Sequence, residues 1–227
     1  EYKYRIKNSN GDVEWITTQW KKARAGRQAG LAETCLKPNG LPLTRKCLCN
    51  EEKTQAFWEN ISHWSVQDCI RHPQQKIVSN DLNNLHKEIL EGKHLNKTPQ
   101  GRAEIANTIL QTLHEPTHKM LPADIHYTSQ ILMEISAEGK DPELTPQVLS
   151  MTNTIMSVDE TVLRISASIN ATNSLLDNFE QYMDDMGEQM VPSNSCGSTD
   201  SQRSQSSSSK PISAVEVQDY VHLGVKV

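Results

Sequence analysis

The sequence predicts a mainly α-helical chain with four parts: a small, disulfide-stapled, loop- and β-rich N-terminal module, a helical bundle, a serine-rich linker and the start of a β-sandwich. Three observations predict this. Apolar residues recur every three or four positions between about Asn80 and Met186, which puts them on one face of successive helices. All four tryptophans and four of the five cysteines crowd into the first seventy residues, where helical spacing is absent. Near the end, Val221, Leu223, Val225 and Val227 alternate with His222, Gly224 and Lys226, the period of a half-buried strand. The expected boundaries are 1–72, 78–188, 189–211 and 212–227.

The first part is rich in turn residues, Asn10-Gly11 and Pro38-Asn39-Gly40 followed by Pro42. It is too small to fold on an apolar core alone, so disulfides are expected. Two readings compete for its cysteines. Cys47, Cys49, Cys69 and His72 form a possible zinc set, although Cys-x-Cys is not the usual ligand spacing and the second half is irregular. The other reading makes Cys35, Cys47 and Cys69 a disulfide framework, with Trp15 and Trp58 in the module core and Trp58 over the bridges. Lys21, Lys22, Arg24 and Arg27 beside Trp20 read as a solvated basic loop; contact with a glycosaminoglycan or an acidic partner is the alternative.

Five helices are expected next. Leu82, Leu85, Ile89 and Leu90 mark the first. Thr98 as N-cap and Pro99 at the first helical position open the second, which carries Ile105, Ile109, Leu110 and Leu113 and ends before Pro116. The third starts at Pro122, carries Ile125, Ile131, Leu132 and Ile135, and stops before Gly139. Thr145 and Pro146 repeat the cap signal ahead of Val148, Leu149, Ile155 and Met156. The last and longest carries Val162, Ile165, Ile169, Leu176, Phe179 and Met183, with Asp159 and Glu160 near the positive end of its dipole. Each stripe is amphipathic, so none of these helices is expected to span a membrane. His86, His94, His114, His118 and His126 read as solvated helix-end residues; Pro116 breaks the i,i+4 geometry that His114 and His118 would need to share a metal.

Pro192 to Pro211 is dominated by serine and reads as a flexible linker containing Cys196. The chain begins at Glu1 without an initiator methionine or signal peptide, and is expected to be a segment of a longer protein. Its formal net charge of −5 argues against a nucleic-acid partner. Phosphate loops, nucleophile elbows and recognisable catalytic carboxylate pairs are missing from the sequence, so no catalytic, cofactor-binding or metal residue is assigned. Asn60-Ile61-Ser62, Asn96-Lys97-Thr98 and Asn170-Ala171-Thr172 fit the N-glycosylation pattern. Asn60 is the first candidate, and Asn96 is the weakest because Thr98 is wanted as a cap.

The run Glu14-Trp15-Ile16-Thr17, Ala29-Gly30 before Cys35, Asn39-Gly40-Leu41, Thr44-Arg45-Lys46-Cys47, Trp58 and Trp64-Ser65 before Cys69 resembles the hormone-receptor (HormR) domain of adhesion-type and secretin-type G protein-coupled receptors. The resemblance covers about residues 13–69. It implies a Cys35–Cys69 pair and, for Cys47, a partner ahead of the first Trp; that partner lies upstream of residue 1, or Cys49 and Cys196 take over its role. In adhesion receptors this domain is often followed by a GAIN domain, a helical subdomain leading into a β-sandwich. Leu121-Pro122-Ala123-Asp124-Ile125 and Asp177-Asn178-Phe179-Glu180 resemble parts of that helical subdomain. The resemblance implies a soluble extracellular segment of a plasma-membrane receptor, acting in recognition and signal transduction. Its partners would be an extracellular protein or glycan, and the receptor's own β-subdomain and transmembrane region. GAIN self-cleavage needs His-Leu-Ser or His-Leu-Thr. The chain has His222-Leu223-Gly224, which offers no nucleophile. A secreted or matrix interaction protein built from the same modules is the alternative.

Overall fold

Six short strands stand among the described residues of the first seventy, set between turn-forming glycines and prolines. The computed structural model describes residues 2–7, 11–50, 55–59, 68–70, 78–94, 97–115, 118–137 and 141–190. β1 (Tyr2–Lys7) pairs antiparallel with β2 (Val13–Thr18) and parallel with β6 (Asp68–Ile70), giving a first sheet in the order β2-β1-β6. β3 (Gln28–Gly30), β4 (Thr44–Cys49) and β5 (Ala56–Trp58) form a second, antiparallel sheet. Cys35 and Cys69 are joined by a disulfide with Cα atoms 5.3 Å apart, buried among Tyr4, Leu31 and Leu43.

Tryptophan placement departs from expectation. In β2 the inward phase belongs to Ile16 and Thr18, and Ile16 faces the buried Tyr4 in register. The period of two therefore turns Trp15 outward, where it is 59% exposed and is not a core residue. Trp58 is half-buried against Arg45, whose guanidinium lies 5.7 Å from its ring and 6.0 Å from that of Trp20. Trp20, rather than Trp58, packs at the edge of the disulfide cluster.

The helices are α1 (Val78–Leu90), α2 (Pro99–Leu113), α3 (Pro122–Ala137), α4 (Thr145–Met156), α5 (Glu160–Ala167) and α6 (Ala171–Met190). Thr98 caps α2, its hydroxyl accepting the Gly101 N–H at 3.1 Å with Pro99 behind it. Asp159 caps α5 in the same way, accepting the Thr161 N–H at 2.7 Å. Thr145 does not cap α4. It already has helical φ and ψ, and Asp141 instead caps a 3-10 turn, Pro142–Leu144, that leads into the helix.

Six α-helices stand among the described residues where five were expected, because the last stripe is two helices. The chain breaks at Ser168–Asn170, with Asn170 at a φ of 61°, a conformation that asparagine tolerates better than most residues. The break shifts the phase of the buried face. α6 buries Leu175, Asn178, Tyr182 and Met186, while Phe179 and Met183 pack only partly. α6 also extends two residues past the expected start of the linker. The serine-rich stretch, Cys196 and the alternating strand beyond it lie outside the described residues, as do Asn60 and Asn96.

α3 is the central helix, packed against α1, α5 and α6, and its first eight residues are all buried. Ile125, Ile131, Leu132 and Ile135 form the middle of the core with Leu82, Ile109, Leu144 and Ile155. Leu36, from the N-terminal module, belongs to this same core. The described residues lie in one compact unit, Glu1–Val191. Among them, no helix is long and apolar enough to cross a membrane.

Candidate functional site

The chemistry of this chain gathers where the module meets α1 and α3. α1 presents Leu82, Leu85 and Ile89 inward, and the helical repeat brings Ser79, Asn83 and His86 onto the same buried stripe. Into this stripe the module inserts Lys21, 6% exposed. Its Nζ donates to Asn83 Oδ1 at 2.6 Å, lies 2.9 Å from His86 Nδ1, and sits 4.9 Å above the Tyr127 ring. Asn83 turns its amide nitrogen back to the module, donating to Ala32 O at 3.2 Å and Thr34 Oγ1 at 3.1 Å. Thr34 in turn hydrogen-bonds the Tyr127 hydroxyl.

Burial decides the protonation of this group. It pulls the Lys21 amine down to about 7, helped by the nearby Lys87 charge. His86 is held well below its ordinary value by burial, and then by Lys21 and His126. His126 is held at about 3 by burial, and then by Lys21. Burial also raises the Tyr127 phenol. These directions agree with the geometry. A neutral imidazole can offer Nδ1 as acceptor, and a neutral amine still has two N–H groups, one for Asn83 and one for His86. Lys21 is therefore no solvated loop residue, and His86 and His126 are no solvated helix ends.

A second cluster fastens the start of α3. Asp124, fully buried at the third helical position, accepts the Leu121 N–H at 2.7 Å and the Ser79 hydroxyl at 2.5 Å. The first of these bonds is the backward half of a capping box. His118 Nε2 lies 3.0 Å from Asp124 Oδ2, at ion-pair distance but without hydrogen-bond geometry, and its side chain is also buried. Next to this cluster the module contributes Gly40, whose carbonyl accepts the Ala123 N–H at 3.1 Å. Gly40 has a φ of +78°, and an added Cβ would stand 2.9 Å from Pro122 Cδ. Gly40→Ala is expected to cost about 2 kcal/mol or more in thermal or denaturant unfolding. Gly11→Ala, with a similar φ and nothing within 4 Å, is the control that pays the backbone term alone.

A third buried pair closes the far side of the bundle. Arg102 and Asp141 approach to 3.6 Å, Arg102 also donates to Lys97 O, and the Tyr182 hydroxyl donates to Asp141 O.

Among the expected site residues, Cys69 is bonded to Cys35 and so is unavailable to a zinc site, Cys47 is a buried thiol, and Cys49 is an exposed one. His72 lies outside the described residues. Among the described residues no three His, Cys, Asp or Glu side chains gather at metal-binding distances. Asn170 is exposed in the α5–α6 turn, accepting from Asn173 and donating to Ser174, while Thr172 of its acceptor tripeptide is buried and bonded to Leu163 O. Sequence reasoning missed the Lys21, Asn83, His86 and Asp124 connections. The signal was present for α1, where Asn83 and His86 stand in phase with Leu82 and Ile89. For Lys21, the basic residues around it pointed the other way.

Fold and site together describe a disulfide-bonded β/loop module joined to a helical bundle through buried polar contacts. No protein family, curated protein or solved structure matches this chain.

Proposed function

We propose that this chain is an extracellular part of an adhesion-type G protein-coupled receptor. In this reading a hormone-receptor-like module precedes the helical subdomain of a GAIN-type domain, and the two recognise a protein or glycan outside the cell. Their coupling would run to a β-subdomain and a transmembrane region, and the segment itself would carry out no catalysis. The observation that carries the reading is the buried seam in which Lys21 reaches Asn83 and His86. A contact or pull on the module would reach the helices through packed, hydrogen-bonded groups instead of being lost in a flexible hinge.

Sequencing the transcript beyond the codon for Val227 tests the reading. The expected continuation has more alternating strands, a His-Leu-Ser or His-Leu-Thr tripeptide and seven apolar segments of about twenty residues each. A reading frame that closes without apolar segments would overturn it in favour of a secreted or matrix interaction protein.

A further inference from the structure

Among the described residues no strand pairs with the outer edge of β2, in a sheet whose order is β2-β1-β6. Its sequence, Val13 to Thr18, is rich in β-branched and aromatic residues. It has no proline, lysine or arginine to blunt pairing, and Glu14 is its only charge. An edge of this kind is a template for another strand unless something covers it. On its outward face Val13 is 47% and Trp15 59% exposed, and Thr17 continues the same row.

The charges beside this edge have one sign in excess. In register with Thr17 and Trp15 stand Lys3 and Arg5 of β1, and the Arg5 guanidinium lies 5.8 Å over the Trp15 ring. Past Thr17 the edge runs into a groove of about 420 Å³ between the module and α1, whose walls include Trp20, Lys22, Lys87 and Leu90. Glu33 and Glu91 also line it, and Glu91 is held by Lys93 at 2.6 Å. Residues 1–72 contain twelve Lys or Arg against eight Asp or Glu, although the whole chain has 23 against 28. The basic excess of an acidic protein is thus concentrated in the module that carries the open edge.

We propose that β2 and the groove beside α1 bind an extended, acidic segment of a partner protein by strand addition. The segment's backbone pairs with the open edge along Val13–Thr17. Apolar side chains at alternate positions pack on Val13 and Trp15, and acidic ones meet Arg5, Lys22 and Lys87. A polysaccharide would meet the cations and the indole but would leave the strand's backbone groups unused, which is why a peptide is favoured. This proposal does not rest on the receptor reading.

The test is fluorescence anisotropy of the chain with a labelled peptide of alternating glutamate and valine, alongside a copy N-methylated at alternate amides. Saturable binding is expected, weakened about tenfold or more by Trp15→Ala and by N-methylation, weakened further by Arg5→Glu, and reduced by salt. Protection of the β2 amides in hydrogen exchange should accompany it. Trp15 is exposed and Arg5 half-buried beside it, so near-ultraviolet circular dichroism must show each variant folded; Val13→Lys serves if one is not. The proposal is overturned by absence of binding at about 1 mM peptide, by equal binding of the N-methylated copy, or by indifference to Trp15→Ala. It is equally overturned if heparin binds at this face while the peptide does not, or if sedimentation shows the edge already occupied by a second copy of the chain.

Discussion

Replacing Asp124 with alanine is expected to destabilise the chain by about 3–5 kcal/mol, in the range of breaking one partner out of a buried charged cluster. The carboxylate ties together three segments, accepting from Ser79 of α1 and from the backbone of Leu121 while lying beside His118 of the preceding loop. Alanine would strand the buried Ser79 hydroxyl and remove the acceptor of the Leu121 N–H. Because Gly40 docks on the same helix start, the loss should also loosen the module. Urea unfolding followed by circular dichroism measures the cost, and hydrogen exchange at Leu41 and Ala123 reports the loosening. Asp124→Asn keeps an acceptor and should cost less than alanine. Equal stability of the alanine variant and the parent would remove this cluster from the account.

Stability should rise, not fall, as pH increases from 7 to 9. Lys21 is held at about 7 in the folded chain, whereas an unfolded lysine titrates near 10.4. Between those values the unfolded state binds the extra proton, so each rise in pH favours folding, by about 2 kcal/mol over the two units. Above about pH 10 the effect reverses, because Tyr127 is kept protonated by burial while an unfolded tyrosine ionises. On the acid side the same logic applies to His86 and His126, both held low. At pH 5.5 an unfolded histidine takes up a proton that the folded one refuses, so stability falls as the pH drops below the unfolded value near 6.5. Melting curves from pH 5 to 10 should therefore show a ramp. Lys21→Met should flatten its alkaline half, and His86→Gln should reduce the acid contribution. An alkaline ramp that survives Lys21→Met would refute the assignment to this residue.

Where one local rule decides the outcome, the sequence is a sufficient guide. Thr98 with Pro99 opens a helix because a hydroxyl acceptor and a missing N–H both suit its first turn. Ile125, Ile131, Leu132 and Ile135 are buried because they share one face. The same rules fail where two signals compete. Thr145 resembles a cap, but Asp141, four residues earlier, caps a 3-10 turn first. The stripe from Val162 to Met183 reads as one helix until Asn170 turns left-handed and rotates the second half. Trp15 resembles core by composition, and strand alternation turns it outward.

What the sequence determined by itself is the order of parts: a cysteine- and tryptophan-rich module without helical spacing, then amphipathic helices with their starts marked by caps and prolines. Those are near-neighbour properties, set by φ/ψ preferences and side-chain periodicity within a few residues. Only the tertiary structure decided that Lys21 is buried against Asn83 and His86, 62 and 65 residues away, and that Asp124 meets Ser79. A lysine among basic residues resembles a surface lysine until a helix from elsewhere in the chain removes its water and supplies acceptors. Neither desolvation nor a partner at that separation leaves a mark in the local sequence.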